Sequence, residues 1–263
     1  MNPYTVSVVL PLYNPKGTWA EGFVQHVRNL NAALPAERIR YIVVHDGPAA
    51  PHVVSTFEVI AEVLPEVHFC QYHANRGKGF ALRHGVRASQ TEYTIMVDFD
   101  FPYALENILT VLADLQLGTD VVVGRRSSDY FSNLPLKRKL ISRGYSLANQ
   151  LLFQLPVYDT QSGLKGFNRS GRAVFLQTVI DRFLIDTEFL LRAARQRLRV
   201  GVIEVHLRPH VTFSNFGWKV LRAETRNLWR LVRLNRELHR RYRYGNAELA
   251  SEPGVMAGER GFR

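Results

Sequence analysis

One pattern constrains this chain more than any other: short apolar runs alternate with segments of helical character. The runs are TVSVVL (5–10), IRYIVVH (39–45), VHFCQY (67–72), YTIMVD (93–98) and DVVVG (120–124), and helical patterns lie near 18–33, 52–63, 78–89 and 104–116. Short runs rich in Val, Ile, Tyr and Phe read as strands. Strands separated by helices require crossover connections, which cover both faces of a largely parallel sheet. YIVV and VVV are apolar without alternation, as strands buried on both faces are. The expected fold is α/β: a mixed, mostly parallel, Rossmann-like sheet with helices on both faces.

Beyond Gly124 the pattern changes. DTQSGLKGFNR (159–169) reads as a turn into another strand, FLIDTEFLLRAARQ (183–196) as an amphipathic helix and VGVIEVHLRPH (200–210) as a further strand. A long basic helix follows over 218–242. The boundaries expected are a domain over 1–212, a basic amphipathic helical segment over 213–243 and a tail over 244–263. That tail is small, polar and Pro/Gly-bearing, a composition too poor in apolar residues to fold. A length of 263 residues suits one large domain with such appendages. No run approaches the roughly 18 apolar residues of a membrane-spanning helix. MNPYTVSVVLPLYNP has neither the basic flank nor the small-residue cleavage site of a signal peptide. Cys70 is the single cysteine, which fits a reducing, cytoplasmic compartment and excludes a zinc site built on cysteines. The formal charge of +11 points to an anionic partner: a phosphorylated substrate, a nucleic acid or an acidic membrane surface.

Ligands of open parallel sheets bind beyond the carboxyl ends of the strands. There this chain places Pro11-Leu12-Tyr13-Asn14-Pro15, then Asp46-Gly47-Pro48, Asn75-Arg76-Gly77-Lys78-Gly79, Asp98-Phe99-Asp100 and Gly124-Arg125-Arg126. In a strand, residues two apart point the same way, so Asp98 and Asp100 share a side. Two carboxylates there repel unless a cation lies between them, and Mg²⁺ typically takes one or two carboxylates plus phosphate oxygens. Asn75 to Gly79 reads as a glycine-assisted anion site at a helix start. Neither a P-loop nor a G-x-G-x-x-G after the first strand is present, which argues against a dinucleotide oxidoreductase.

These pieces, in this order, resemble the GT-A fold inverting glycosyltransferases, in the branch of dolichyl- and polyprenyl-phosphate mannosyl- and glucosyltransferases. The carriers are VVLPLYN (8–14), VVHDG (43–47), NRGKGFALRHG (75–85), DFD (98–100), VVGRRS (122–127), RKLISRGYSLAN (138–149), DTQSGLKGF (159–167) and FLIDTEFLLRA (183–193). The resemblance implies that Pro11, Tyr13, Asn14 and Asp46 cradle the nucleoside, with Asp46 on the base or ribose, and that Lys78 approaches the nucleotide. It implies a D-x-D metal pair at Asp98 and Asp100, holding Mg²⁺ or Mn²⁺. Arg126, Arg138 and Arg143 would meet the acceptor phosphate. Asp159, Gln161 and Ser162 would border the donor sugar, and Asp186 and Glu188 match an acidic pair on a helix. Three positions depart from the family pattern: Pro15 where Glu is usual, Phe99 where a small residue is usual, and Arg125 where Ser is usual.

The chemistry then depends on the acceptor. A saccharide hydroxyl needs a general base, for which Asp159, Asp186 and Glu188 are available by type. A polyprenyl phosphate is already anionic and needs cations instead, which Arg126, Arg138, Lys139 and Arg143 supply. The expected activity is therefore metal-dependent transfer of a hexose from a GDP-mannose or UDP-glucose type donor to a polyprenyl phosphate, with a glycan hydroxyl as the other acceptor. No nucleic acid is expected, since no helix-turn-helix, zinc finger or aromatic RNA-binding signature is present.

In the 218–242 helix, Arg222, Arg226, Arg230, Arg233, Arg236 and Arg240 form one stripe. Leu221, Leu228, Leu231, Val232, Leu238 and Tyr242 lie mainly opposite. Such a helix suits an anionic membrane surface, placing the chain peripherally on the inner face. It equally suits docking of the apolar face on the core with the Arg in water.

Overall fold

The computed structural model describes residues 4–17, 19–126, 152, 153, 155, 157, 160, 162–208 and 218–250, with only the backbone at 218–223 and 241–250. The strands are β1 (Val6–Leu12), β2 (Ile39–His45), β3 (Val67–Gln71), β4 (Tyr93–Met96), β5 (Val121–Arg126), β6 (Lys165–Phe167) and β7 (Val200–Val205). The helices are α1 (Trp19–Ala33), α2 (Pro51–Val63), α3 (Lys78–Ala88), α4 (Leu105–Gln116), α5 (Arg169–Phe175), α6 (Ile185–Arg195) and α7 (Trp218–Ala250). The strands form one sheet in the order β3-β2-β1-β4-β6-β5-β7. Every pairing is parallel except those of β6, which runs antiparallel between β4 and β5. The expected α/β class, mixed and mostly parallel, is the one observed.

Strand alternation divides the core in two. Val8, Leu10, Tyr41, Val43, Ile95 and Val97 face α1, α2 and α4, while Val9, Ile42, Val44, Met96, Val121 and Val123 face α3, α5, α6 and α7. Both sides of these strands are buried, so the sequence shows unbroken apolar runs where a half-exposed strand would alternate.

Pro11 sits within β1, which has neighbours on both sides. Its missing N–H costs no ladder bond toward β4, because β1 pairs with β4 only over Val6–Val9. Beyond Val9 only β2 continues alongside, up to Leu12↔His45. The crossovers turn one way from β1 to β2 and β3 and the other way to β4. The crevice thus opens between the carboxyl ends of β1 and β4, where such sheets reverse their winding.

Two elements differ from the sequence reading. α5 was not expected; its start is fixed by Asn168, whose side-chain oxygen accepts from Ser170 N at 2.9 Å and Gly171 N at 3.1 Å. The last helix runs through Ala250, beyond the boundary expected at 243. Its apolar face is not free for lipid: Leu231 and Leu238 are buried, and Leu228, Val232 and Leu234 pack against the same cluster as α6. Asn235 completes the docking, accepting from Arg195 and donating to the Leu152 carbonyl at 3.0 Å. The apolar face therefore belongs to the core. Leu231→Ala is expected to lower unfolding free energy in lipid-free buffer by about 2–5 kcal/mol, the range for deleting a buried leucine side chain. Urea denaturation measures it, and a lipid-inserting leucine would show no such loss.

Candidate active site

Asp98 lies two residues beyond β4, and Lys78 opens α3. Lys78 Nζ donates to Asp98 Oδ1 at 2.6 Å in a half-buried ion pair. Desolvation alone would lower the Lys78 pKa, but the charges of Asp98 and Asp186 and the hydrogen bond to Asp98 outweigh it and hold the ammonium raised. Burial would likewise raise Asp98, yet Lys78, then Lys165 and Arg126, hold its carboxyl below the ordinary range. Asp100 goes the other way: desolvation first, then repulsion from Asp98, pushes it up. The pair is thus an anion held open by cations on one side and self-repelling on the other.

The strand expected to reach Asp98 ends at Met96; Asp98-Phe99-Asp100 lies in a turn closed by the Phe101 N–H, which donates to the Asp98 carbonyl at 2.9 Å, and Phe99 anchors that turn. Its ring points the opposite way from the two carboxylates, stacked on Phe23 at 5.0 Å and edge-on to Trp19 at 5.6 Å and Phe57 at 6.2 Å. The residue expected to be small is large here because it is anchored in the core beneath the site.

Asp98 is framed from the other side by the turn into β6. A Cβ on Gly163 would collide with the Asp98 carboxylate, so only glycine lets this turn approach so closely. The turn is held by Tyr103, whose hydroxyl accepts from Gly163 N at 2.8 Å and bonds Ser162 Oγ at 3.1 Å. Desolvation, then Asp98, pushes the Tyr103 hydroxyl up to about 12. Lys165, fully buried, donates to the Ser162 carbonyl and pairs with Asp186 at 2.8 Å. Tyr103 and Lys165 were not singled out from sequence; the signal available was only that Lys165 lies inside the DTQSGLKGF segment.

Three groups expected at the site are engaged within the protein itself. The first concerns Asp46, expected to bond a base or ribose. Its carboxylate is already engaged by Tyr72 Oη at 2.6 Å, Asn75 Nδ2 at 2.9 Å, Arg76 N at 2.8 Å and Gly77 N at 2.9 Å. It fastens the 75–77 loop and acts on the site through Lys78. The second concerns the helix start as an anion site. The amides of Arg76 and Gly77 serve Asp46, and Phe80 N donates to the Asp181 carbonyl at 3.1 Å. Gly77 and Gly79 are glycines because the 180–182 backbone packs where a side chain would stand. The third is Glu188 as a catalytic group. It is fully buried, accepting from Val179 N at 2.9 Å, Ile180 N at 2.8 Å and Arg192 Nε at 2.9 Å. It latches the 179–180 loop, whose neighbour Asp181 pairs with Arg83 and Arg76.

At the opening of the crevice Tyr13 is 64% exposed, its ring centroid 6.1 Å from that of His45. Asn14 takes a positive φ of 47° and donates its N–H to His45 Nε2 at 3.4 Å, while His45 Nδ1 donates to the Gly47 carbonyl at 2.9 Å. Arg126 ends β5, close enough to lower the Asp98 pKa. Asp159, Gln161, Arg138 and Arg143 lie outside the described residues, as does Lys139.

The residues present fit a hard divalent ion. No group of three or more His, Cys, Asp or Glu surrounds a common point among the described residues. Two carboxylates, one of them raised by burial and then by the charge of the other, fit an ion that takes its remaining ligands from phosphate oxygens and water.

Comparison with known proteins bears on the family and the fold. Residues 7–174 match the family model for glycosyl transferase family 2. Glycosyltransferase AglD of Haloferax volcanii is 29% identical over 78% of this chain and 33% of its own length. A dolichyl-phosphate beta-glucosyltransferase of Dictyostelium discoideum is 28% identical over 76% of this chain and 64% of its own length. The chain thus spans between a third and just under two thirds of these curated relatives. Among solved structures, the mannosyltransferase PcManGT of Pyrobaculum calidifontis, in complex with GDP-Man and Mn²⁺, superposes with a TM-score of 0.51. The alignment covers 96% of this chain and 76% of that one at 15% identity, a likeness of fold.

Two outcomes follow from this geometry. Gly163→Ala pushes the Asp98 carboxylate aside; nucleotide-sugar binding, read by calorimetry, should fall at least tenfold. Glu188→Ala strands two backbone donors and Arg192, and should cost about 3–5 kcal/mol in urea denaturation, as breaking a buried ion pair does. Normalised to folded protein, its kcat/KM should stay within a few-fold of the parent. A loss of several orders of magnitude would restore Glu188 as a catalytic group.

Proposed function

Because the chain belongs to glycosyl transferase family 2, we propose that it moves a hexose from a nucleoside-diphosphate sugar, of GDP-mannose or UDP-glucose type, to a polyprenyl phosphate with inversion. The observation that carries this reading is the Asp98/Asp100 pair, set beside Lys78 and Arg126 at the carboxyl edge of the sheet. Tyr13 offers an open aromatic face for the base, with Pro11 and Asn14 shaping the loop that presents it. Asp46 holds the loop that carries Lys78.

Asp98 and Asp100 would hold Mg²⁺ or Mn²⁺, which as a Lewis acid offsets charge on the departing diphosphate. Lys78 fixes the orientation of Asp98. Arg126, with Arg138 and Arg143, would hold the acceptor phosphate. One of its oxygens bonds to the anomeric carbon from the face opposite the diphosphate, and the bond from that carbon to the diphosphate oxygen breaks. No proton has to be removed from the nucleophile.

That last point bears on the acceptor. Of the three carboxylates available as a base for a sugar hydroxyl, Glu188 is fully buried and engaged, and Asp186 is buried against Lys165. Only Asp159 is left for that role. A phosphate acceptor needs none of them, and the Dictyostelium relative is named for dolichyl phosphate. No helix among the described residues is long and apolar enough to cross a membrane. As part of the same proposal, the chain meets its acceptor at the cytoplasmic face of the membrane.

The test is transfer from labelled GDP-mannose and UDP-glucose, with Mn²⁺ or Mg²⁺, to a short polyprenyl phosphate or to a free saccharide. The expected product is a glycosyl phosphate lipid that mild acid cleaves. Asp100→Asn should lower kcat by at least about a hundredfold, the scale of removing one group that stabilises developing charge. Transfer to the saccharide alone would overturn the acceptor, and full activity with chelator present would overturn the metal.

A further inference from the structure

With the apolar side of α7 docked on the core, its opposite side remains. At about 100° per residue, Arg226, Trp229, Arg233, Arg236 and Arg240 fall within an arc of about 80°. Asn227, Leu231, Leu234 and Leu238, the core-facing residues, fall opposite. All four arginines are exposed. Trp229, between Arg236 and Arg240 in this arc, is 76% exposed. A single exposed ring is ordinary on a protein surface; what sets this one apart is its place among four exposed guanidinium groups on one helix face. The one carboxylate among them, Glu237, is paired with Arg233 at 3.3 Å.

Beside this face lies a cavity of about 350 Å³, lined among the described residues by Leu152, Arg195, Asn235, Arg236, His239 and Arg240. Arg195, Arg236, Arg240 and His239 line this open depression, which is large enough for a phosphate-bearing group. Asn235 holds Arg195 in place at 2.9 Å.

We propose that this outward face of α7 is a docking surface for anionic lipid, with Trp229 entering the headgroup layer, the arginines meeting lipid phosphates, and the Arg195/Arg236/Arg240 cavity seating one headgroup. The charge is complementary to an acidic bilayer, and an aromatic ring flanked by arginines matches the polarity step at its interface. The mode differs from that of an ordinary amphipathic helix, because the leucines stay in the protein and only the Arg/Trp side meets lipid. The surface needs no donor, metal or acceptor, so its test is independent of the transfer reaction.

The test is co-sedimentation of the full chain with phosphatidylcholine vesicles and with vesicles containing phosphatidylglycerol. Binding is expected only to the second. The combined variant Arg226→Gln, Arg233→Gln, Arg236→Gln should weaken it on the order of a hundredfold, at roughly fivefold for each charge near the surface. A control of equal net charge, Arg28→Gln, Arg38→Gln, Arg87→Gln, should bind within a few-fold of the unchanged chain. Brominated lipid should quench fluorescence that Trp229→Phe removes. All variants should melt as the parent does, since every replaced side chain is exposed. Equal losses in both triple variants would reduce the effect to net charge and overturn the proposal. So would absence of binding to phosphatidylglycerol vesicles, or tighter binding of duplex nucleic acid that the α7 variant alone abolishes.

Discussion

The ion pair between Lys78 and Asp98 is the interaction around which the rest is arranged. Neither partner is stable there alone: each is partly withdrawn from water, and each is kept charged by the other. Much of the surrounding structure keeps the two in register. Asp46 ties down the loop before Lys78 through four hydrogen bonds. Glu188 fixes the loop that packs on Gly77 and Gly79 from the far side. Tyr103 and Lys165 fix the turn that closes on Asp98 through Gly163. Three buried carboxylates, Asp46, Asp186 and Glu188, thus act through geometry, and the pair exposed to a ligand, Asp98 and Asp100, is left for chemistry.

The same division appears along the chain at Asp98-Phe99-Asp100. The turn after β4 leaves the two carboxylates at the crevice while the ring between them packs with Trp19, Phe23 and Phe57. The bulky middle residue anchors the motif to α1 and α2. A small residue there would forgo the packing on Trp19, Phe23 and Phe57, so the departure from the family pattern is a matter of support beneath the site.

The sheet was legible in the sequence because its strands are buried on both faces, and their apolar runs are uninterrupted. Asp98 and Asp100 were legible as paired carboxylates at the end of an apolar run, but the strand expected to reach Asp98 stops at Met96, and a turn over 98–101 rather than period-two alternation brings them together. The roles of Asp46 and Glu188 were not legible. Their partners are backbone amides of other segments, and nothing in the residue type distinguishes a carboxylate that binds a ligand from one that holds a loop. For Glu188 the sequence neighbour Arg192 gives one partner at helical spacing, but the two amides that define its role come from the loop before the helix. α7 shows the same limit. Its two faces were visible in the 3.6-residue period, yet which face meets the core depends on α6 and on Asn235, which no local pattern reveals.

The position of β6 has a consequence in time. It lies between β4 and β5 but is synthesised after both, so the middle of the sheet cannot be completed until residues 165–167 return to a gap left by strands that end some seventy and forty residues earlier. Contacts this distant along the chain carry a large loop-closure entropy and form late in folding. Gly163 and Lys165 arrive with that same strand, so the crevice acquires its second wall only at the step that completes the sheet. An emerging chain that has folded β1 to β5 therefore holds both carboxylates without the frame that orients them, and ligand affinity should appear with the last central strand, as a report on complete folding.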